Sequence, residues 1–131
     1  MRSSLDFQHG DLTGRIIKAA VAIHRKWGPG LLESAYRNAL HVELRHMGVR
    51  IRKEAPVSLE HRGELIGPAF RADLIVEEQV IVEVKAVEKL APVHARQLIT
   101  YLKATGLEVG LLLNFGASSM REGVTRVVNS L

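Results

Sequence analysis

Residues 70–85 read FRADLIVEEQVIVEVK, and the fold turns on them. Phe70, Ala72, Leu74 and Val76 alternate with Arg71, Asp73 and Ile75, a period of two that predicts a strand. Val80, Val82, Val84 and Ala86 then point one way, while Ile81, Glu83, Lys85 and Val87 point the other. Glu77-Glu78-Gln79 is the turn between them. Matching Leu74 and Val76 to Val80 and Val82 across this three-residue loop sets Asp73 directly opposite Glu83, with Cβ atoms roughly 4.5–5.5 Å apart. Lys85 lies two residues beyond Glu83 on the same face.

Two carboxylates facing each other destabilise a sheet, so the pair asks for a reason. A hard divalent cation such as Mg²⁺ supplies one, because it favours carboxylate oxygens completed by water. Such an ion activates water and stabilises charge on a phosphoryl group, and a nearby lysine adds positive charge. The competing reading is a solvated polar face in which Lys85 neutralises the pair.

Working outward, residues 49–87 predict an antiparallel meander with one polar and one apolar face. Val49, Ile51, Val57 and Leu59 carry the first strand, and His61-Arg62-Gly63-Glu64 is its turn. Upstream, Ile16, Ile17, Ala20, Val21, Ile23 and Trp27 recur at helical spacing behind a cap at Asp11 or Thr13. Gly28-Pro29-Gly30 stops that helix. A second helix is expected from Leu31 to Met47, burying Leu32, Ala35, Tyr36, Ala39, Leu40 and Leu44. Gly30 is expected to hold a backbone conformation that costs other residues energy. Downstream, Pro92 opens a third helix that ends at Gly106, with Ala95, Leu98, Ile99 and Leu102 as its buried stripe. The apolar run Val109–Phe115 then suits a strand covered on both faces and parallel to the one before the helix, joined by a right-handed crossover. Val124–Val128 fits either a strand or a helix. The sum is α/β, a mixed β-sheet flanked by helices.

The chain has 131 residues, 47% apolar and 24% charged, the balance of one globular domain. It contains no cysteine, which excludes disulfide scaffolds, thiol catalysis and cysteine zinc sites. The polar segment Met1–Gly10 lacks an apolar signal core and no run long enough to span a bilayer exists, so a cytoplasmic location without a membrane is expected. A net charge of +4 leans toward a polyanionic partner. Arg50, Arg52, Lys53, Arg62 and Arg71 are candidates for a basic rim that a phosphate backbone would favour. Trp27 reads as packing rather than as a base-stacking platform, and His94 as an ordinary polar helix residue.

Asp73 followed by Glu83-Val84-Lys85 resembles the core of the PD-(D/E)XK nuclease superfamily, with Ala72 where the name has proline. Gly30-Leu31-Leu32-Glu33-Ser34-Ala35-Tyr36 is similar to the G-x-x-E-x-x-Y signature of a small bacterial and archaeal family placed in that superfamily. Gln97-Leu98-Ile99-Thr100-Tyr101 resembles the Q-x-x-x-Y motif of its RecB-like branch. The resemblance runs from about Leu12 to Asn129 and implies a restriction-endonuclease-like fold and a nuclease that cleaves DNA or RNA with Mg²⁺ or Mn²⁺. It implies Asp73, Glu83 and Glu33 at the metal, Lys85 as the group that positions or polarises the attacking water, and Gln97, Tyr101 and Tyr36 in support. Glu33 also suits the helix dipole where it stands, and Tyr36 a packed aromatic. The alternative keeps the fold without turnover, as a module that binds nucleic acid or a protein partner. A homodimer or a partner chain is compatible with either.

Overall fold

The computed structural model describes residues 10–129; the expectation for Met1–Gly10 lies outside them but for Gly10. Helix α1 (Gly10–Trp27) and α2 (Glu33–His46) precede β1 (Ile51–His61), β2 (Glu64–Val76) and β3 (Val80–Lys85). Helix α3 (Pro92–Thr105), β4 (Val109–Asn114), the short α4 (Met120–Gly123) and β5 (Val124–Val128) follow. The five strands form one sheet in chain order, β1-β2-β3-β4-β5. Pairing is antiparallel except between β3 and β4, which run parallel on either side of the α3 crossover. The last element is therefore a strand, antiparallel to β4. Among the described residues, no helix is long and apolar enough to cross a membrane.

Leu74 pairs with Val82, Ile75 with Ile81 and Val76 with Val80, the register that the three-residue loop requires. Glu77 and Glu78 both take positive φ (52°), which turns the chain in the sense that matches strand twist. Their carboxylates are tied down, Glu77 to Arg50 and Glu78 to Arg52. At the other turn Arg62 and Gly63 again have positive φ, so β1 and β2 make a long hairpin.

The expected polar face is not there. From Leu74 onward the even-numbered residues of β2 and β3 (Leu74, Val76, Val80, Val82, Val84) join Ile16, Ala20, Ile23, Tyr36, Leu40 and Leu44 of α1 and α2 in one of two cores, whereas Phe70 and Ala72, expected on the same side, pack in the other. Odd-numbered Ile75 and Ile81 are as fully buried, in a second core with Leu98 and Leu102 of α3. Helices cover both faces, and on β3 the odd-numbered side turns from Ile81 to Glu83 and Lys85 toward the end of the strand. Burying a large aliphatic side chain contributes about 1.5–3 kcal/mol, so the two cores hold the sheet rigidly where they meet it.

The α1–α2 connection departs from expectation in three ways. Gly28 has the positive φ (+73°), while Gly30 has an ordinary one and open space where a Cβ would stand. Leu32, expected inside, is 77% exposed, and Trp27 is 56% exposed beneath the Lys26 ammonium. Tyr36 explains why the turn holds without them. Its ring is fully buried and stacks on Phe115 at 4.5 Å, while its hydroxyl donates to Gly28 O and accepts from Leu31 N.

Candidate functional site

Asp73 and Glu83 converge, by a break in the sheet. The β2–β3 ladder ends at Leu74 and Val82, one residue short of them. There the side chains replace backbone acceptors: Asp73 N donates to Glu83 Oε2 (2.8 Å) and Val84 N donates to Asp73 Oδ2 (2.7 Å). Each carboxylate is thus locked to the opposite strand through one oxygen. The break extends to the other side of Asp73. Lys53 pairs with Leu74 and Ala55 with Ala72, which leaves Glu54 facing Asp73 without a ladder contact. Glu54 also has φ of +51°, a region that non-glycine residues avoid.

Glu83 is 7% exposed. Burial first, and the Asp73 charge second, push its carboxyl up to about 8, against the opposing pull of the Asp73 N–H bond and of Lys85. Glu33 adds a smaller push in the same direction as Asp73. Removing a carboxylate from water disfavours its charged form, and a second negative charge beside it does so again. Glu33 starts α2, and its carboxylate makes no hydrogen bond among the described residues. Lys85 ends β3 opposite Asn114 of β4, and its ammonium is likewise unbonded among the described residues. Asn114 itself is buried and grips Val87 through both ends of its amide, fixing the chain as it leaves β3.

Of the supporting residues, Tyr101 reaches the site. It stacks on Phe70 with centroids 3.7 Å apart, and burial together with the charges of Glu83 and Asp73 raises its hydroxyl's pKa. Gln97 is exposed on α3 and bonds to neither carboxylate. Tyr36 stays in the core, where its hydroxyl bonds the turn that precedes Glu33. His94 caps α3, its Nδ1 accepting from Ala91 N. The basic rim is largely spoken for: Arg50 and Arg52 pair with glutamates and Lys53 bonds Asn38. Arg62 and Arg71 remain exposed.

Three residues that the sequence reading passed over belong to the site, Glu54 among them. Arg37 of α2 lies 3.1 Å from Glu54 and 3.5 Å from Asp73. It stands four residues after Glu33, a spacing that shares one helix face and was the available signal. Phe70, which buttresses Tyr101, gave no signal beyond its alternation.

Among the described residues, no three His, Asp or Glu side chains converge as a set able to hold a metal ion. The donor chemistry nevertheless suits Mg²⁺ or Mn²⁺. Mg²⁺ commonly binds through one or two carboxylates and keeps its remaining waters. Asp73 and Glu83 are such a pair, with Glu83 Oε1 unbonded among the described residues, and a cation there would offset both the burial of the Glu83 carboxyl and the Asp73 charge beside it. A family model described as the PD-(D/E)XK nuclease superfamily matches residues 10–127. No curated protein and no solved structure matches the chain.

Proposed function

The chain belongs to the PD-(D/E)XK nuclease superfamily, and from that premise we propose that it is a metal-dependent nuclease hydrolysing phosphodiester bonds of DNA or RNA. The observation that carries the reading is the reciprocal lock between Asp73 and Glu83 at a broken end of the ladder, with Lys85 on the same strand. A fold stabilised for its own sake would pair these strands through their backbones. Here it holds two acidic groups together at a cost, which is the arrangement of a site rather than of a surface.

In this reading Asp73 and Glu83 hold Mg²⁺ or Mn²⁺, and Glu33 assists by its charge. Bound there, the ion supplies Lewis acidity toward a phosphoryl oxygen and lowers the pKa of a bound water. Hydrolysis joins a water oxygen to phosphorus and breaks the bond to the leaving sugar oxygen, which ends protonated. Lys85 places its positive charge where negative charge grows on the phosphoryl group and orients the attacking water. Tyr101, braced by Phe70, closes the site on the α3 side. The substrate and the ion are both cytoplasmic in this reading, and the whole chain acts as one nuclease domain.

A second reading, a silent module that binds nucleic acid or a protein partner, is favoured by one observation: the Arg37 guanidinium sits at Asp73, where a cation would be held. Incubating plasmid and single-stranded DNA and RNA with Mg²⁺ or Mn²⁺ separates the two. Cleavage by the parent, falling about 10²–10³-fold in Lys85→Ala and Asp73→Asn, is the expected result. Binding without cleavage by all three proteins would establish the module instead.

A further inference from the structure

The nuclease reading gives no task to Arg37, a charged residue of the site, or to Glu54, which it pairs with. Its Nη2 lies 3.1 Å from Glu54 Oε1 and its Nη1 3.5 Å from Asp73 Oδ1, and the side chain is 18% exposed. Its Nε is buried without a hydrogen-bond partner. A guanidinium carries five N–H donors in a planar fork suited to carboxylates and phosphates. Leaving one buried and unmade is costly. The guanidinium is therefore held at this spot by its carboxylates, and Glu54 adopts a left-handed backbone where it reaches it.

The oxygens of the acidic pair divide into two kinds. Asp73 Oδ2 and Glu83 Oε2 accept from backbone N–H groups. Asp73 Oδ1 and Glu83 Oε1 do not, and Arg37 stands at the first of these. A divalent ion drawing on Asp73 Oδ1 brings two further positive charges next to the guanidinium, which repel it.

Building on the nuclease reading, we propose that Arg37 is the resident counter-cation of the Asp73–Glu83 site. It competes with the divalent ion for Asp73. Displaced from Oδ1 while still anchored on Glu54, it offers its fork to a phosphate oxygen of the nucleic acid. One side chain then couples two binding events: the ion releases the arginine, and the released arginine recruits the substrate. Coupling of this kind is reciprocal, so nucleic acid also tightens the hold on the ion.

The test needs no turnover. In the 131-residue chain, the rise in melting temperature is followed against Mn²⁺ concentration, and the affinity for a labelled single-stranded oligonucleotide is measured with and without Mn²⁺ in a Lys85→Ala background. Arg37→Gln should lower the half-saturating Mn²⁺ concentration about tenfold, because one repelling charge is gone. It should also shrink the Mn²⁺-dependent gain in oligonucleotide affinity to the part that the ion's own contact with phosphate supplies, and an undiminished gain would count against the proposal. Arg37→Lys keeps the charge, so its Mn²⁺ midpoint should match the parent's while oligonucleotide binding weakens. Glu54→Gln, an independent route should Arg37→Gln fail to fold, strengthens the hold of Arg37 on Asp73 and should raise the Mn²⁺ midpoint. A midpoint unchanged or raised in Arg37→Gln, or unchanged or lowered in Glu54→Gln, would make Arg37 a structural buttress and overturn the proposal alone. No response of the parent to Mn²⁺ or Mg²⁺ would overturn the nuclease reading, and this proposal with it.

Discussion

At the scale of single residues, Glu83 makes stability depend on pH. Its carboxyl rests at about 8 in the folded chain, against 4.5 as its ordinary value. Between those values the folded protein keeps a proton that the unfolded chain has released, so metal-free stability falls as pH rises, by up to about 1.4 kcal/mol per pH unit. Below the window both states are protonated, and above it both are charged, so the dependence flattens. Glu83→Gln cannot ionise. In chelator-treated protein its denaturation curve should lie near the parent's at pH 5 and show the more stable protein at pH 8. A bound cation reverses the trend, since it needs the ionised carboxylate and expels the proton. Stabilisation by Mg²⁺ should therefore grow from pH 6 to pH 9, reaching roughly 2.7 kcal/mol at a hundredfold excess over its Kd. A parent curve flat across this range, with or without Mg²⁺, would remove Glu83 from the metal site.

At the scale of elements, the same logic explains what was legible in the sequence. The β2–β3 register could be read because strand alternation and loop length leave one solution, and a one-residue slip would turn Leu74 and Val82 out of the core. The second covered face could not. Ile75 and Ile81 look like interruptions in a polar row until α3 is docked over them, and no local pattern states where a helix docks. Arg37 was hidden for a related reason: its partners come from β1 and β2, and Glu54 meets Asp73 only once the hairpin register is known. The α1–α2 turn was misassigned between two glycines two residues apart, because Gly-Pro-Gly names a turn without saying which residue takes positive φ. That yields a paired expectation. Gly28→Ala should cost about 1 kcal/mol, the strain of a side chain in the left-handed region, while Gly30→Ala should be close to neutral. Denaturant titration of the two variants checks it, and equal losses would refute the assignment.

For the molecule as a whole, the family and the mixed sheet were readable from motif order, whereas its charge was not. A surplus of four cations suggests a basic face, but Arg50 and Arg52 are neutralised beside the β2–β3 turn. Attraction to a polyanion then rests on fewer groups, Arg62 and Arg71 among them. The strand order carries a further consequence. Because strands lie side by side in the order they occur in the chain, cutting the loop at Glu78 divides the sheet into two contiguous pieces. One carries Glu33, Arg37 and Asp73; the other carries Glu83, Lys85 and Tyr101. Neither fragment holds a complete site, and the seam between them is the place where the two carboxylates meet. Co-expressed as residues 1–77 and 78–131, the pieces should recover cation-dependent activity only on reassociation, and each alone should have none. Fused to two interacting proteins, they would become a complementation reporter whose signal is a cut strand.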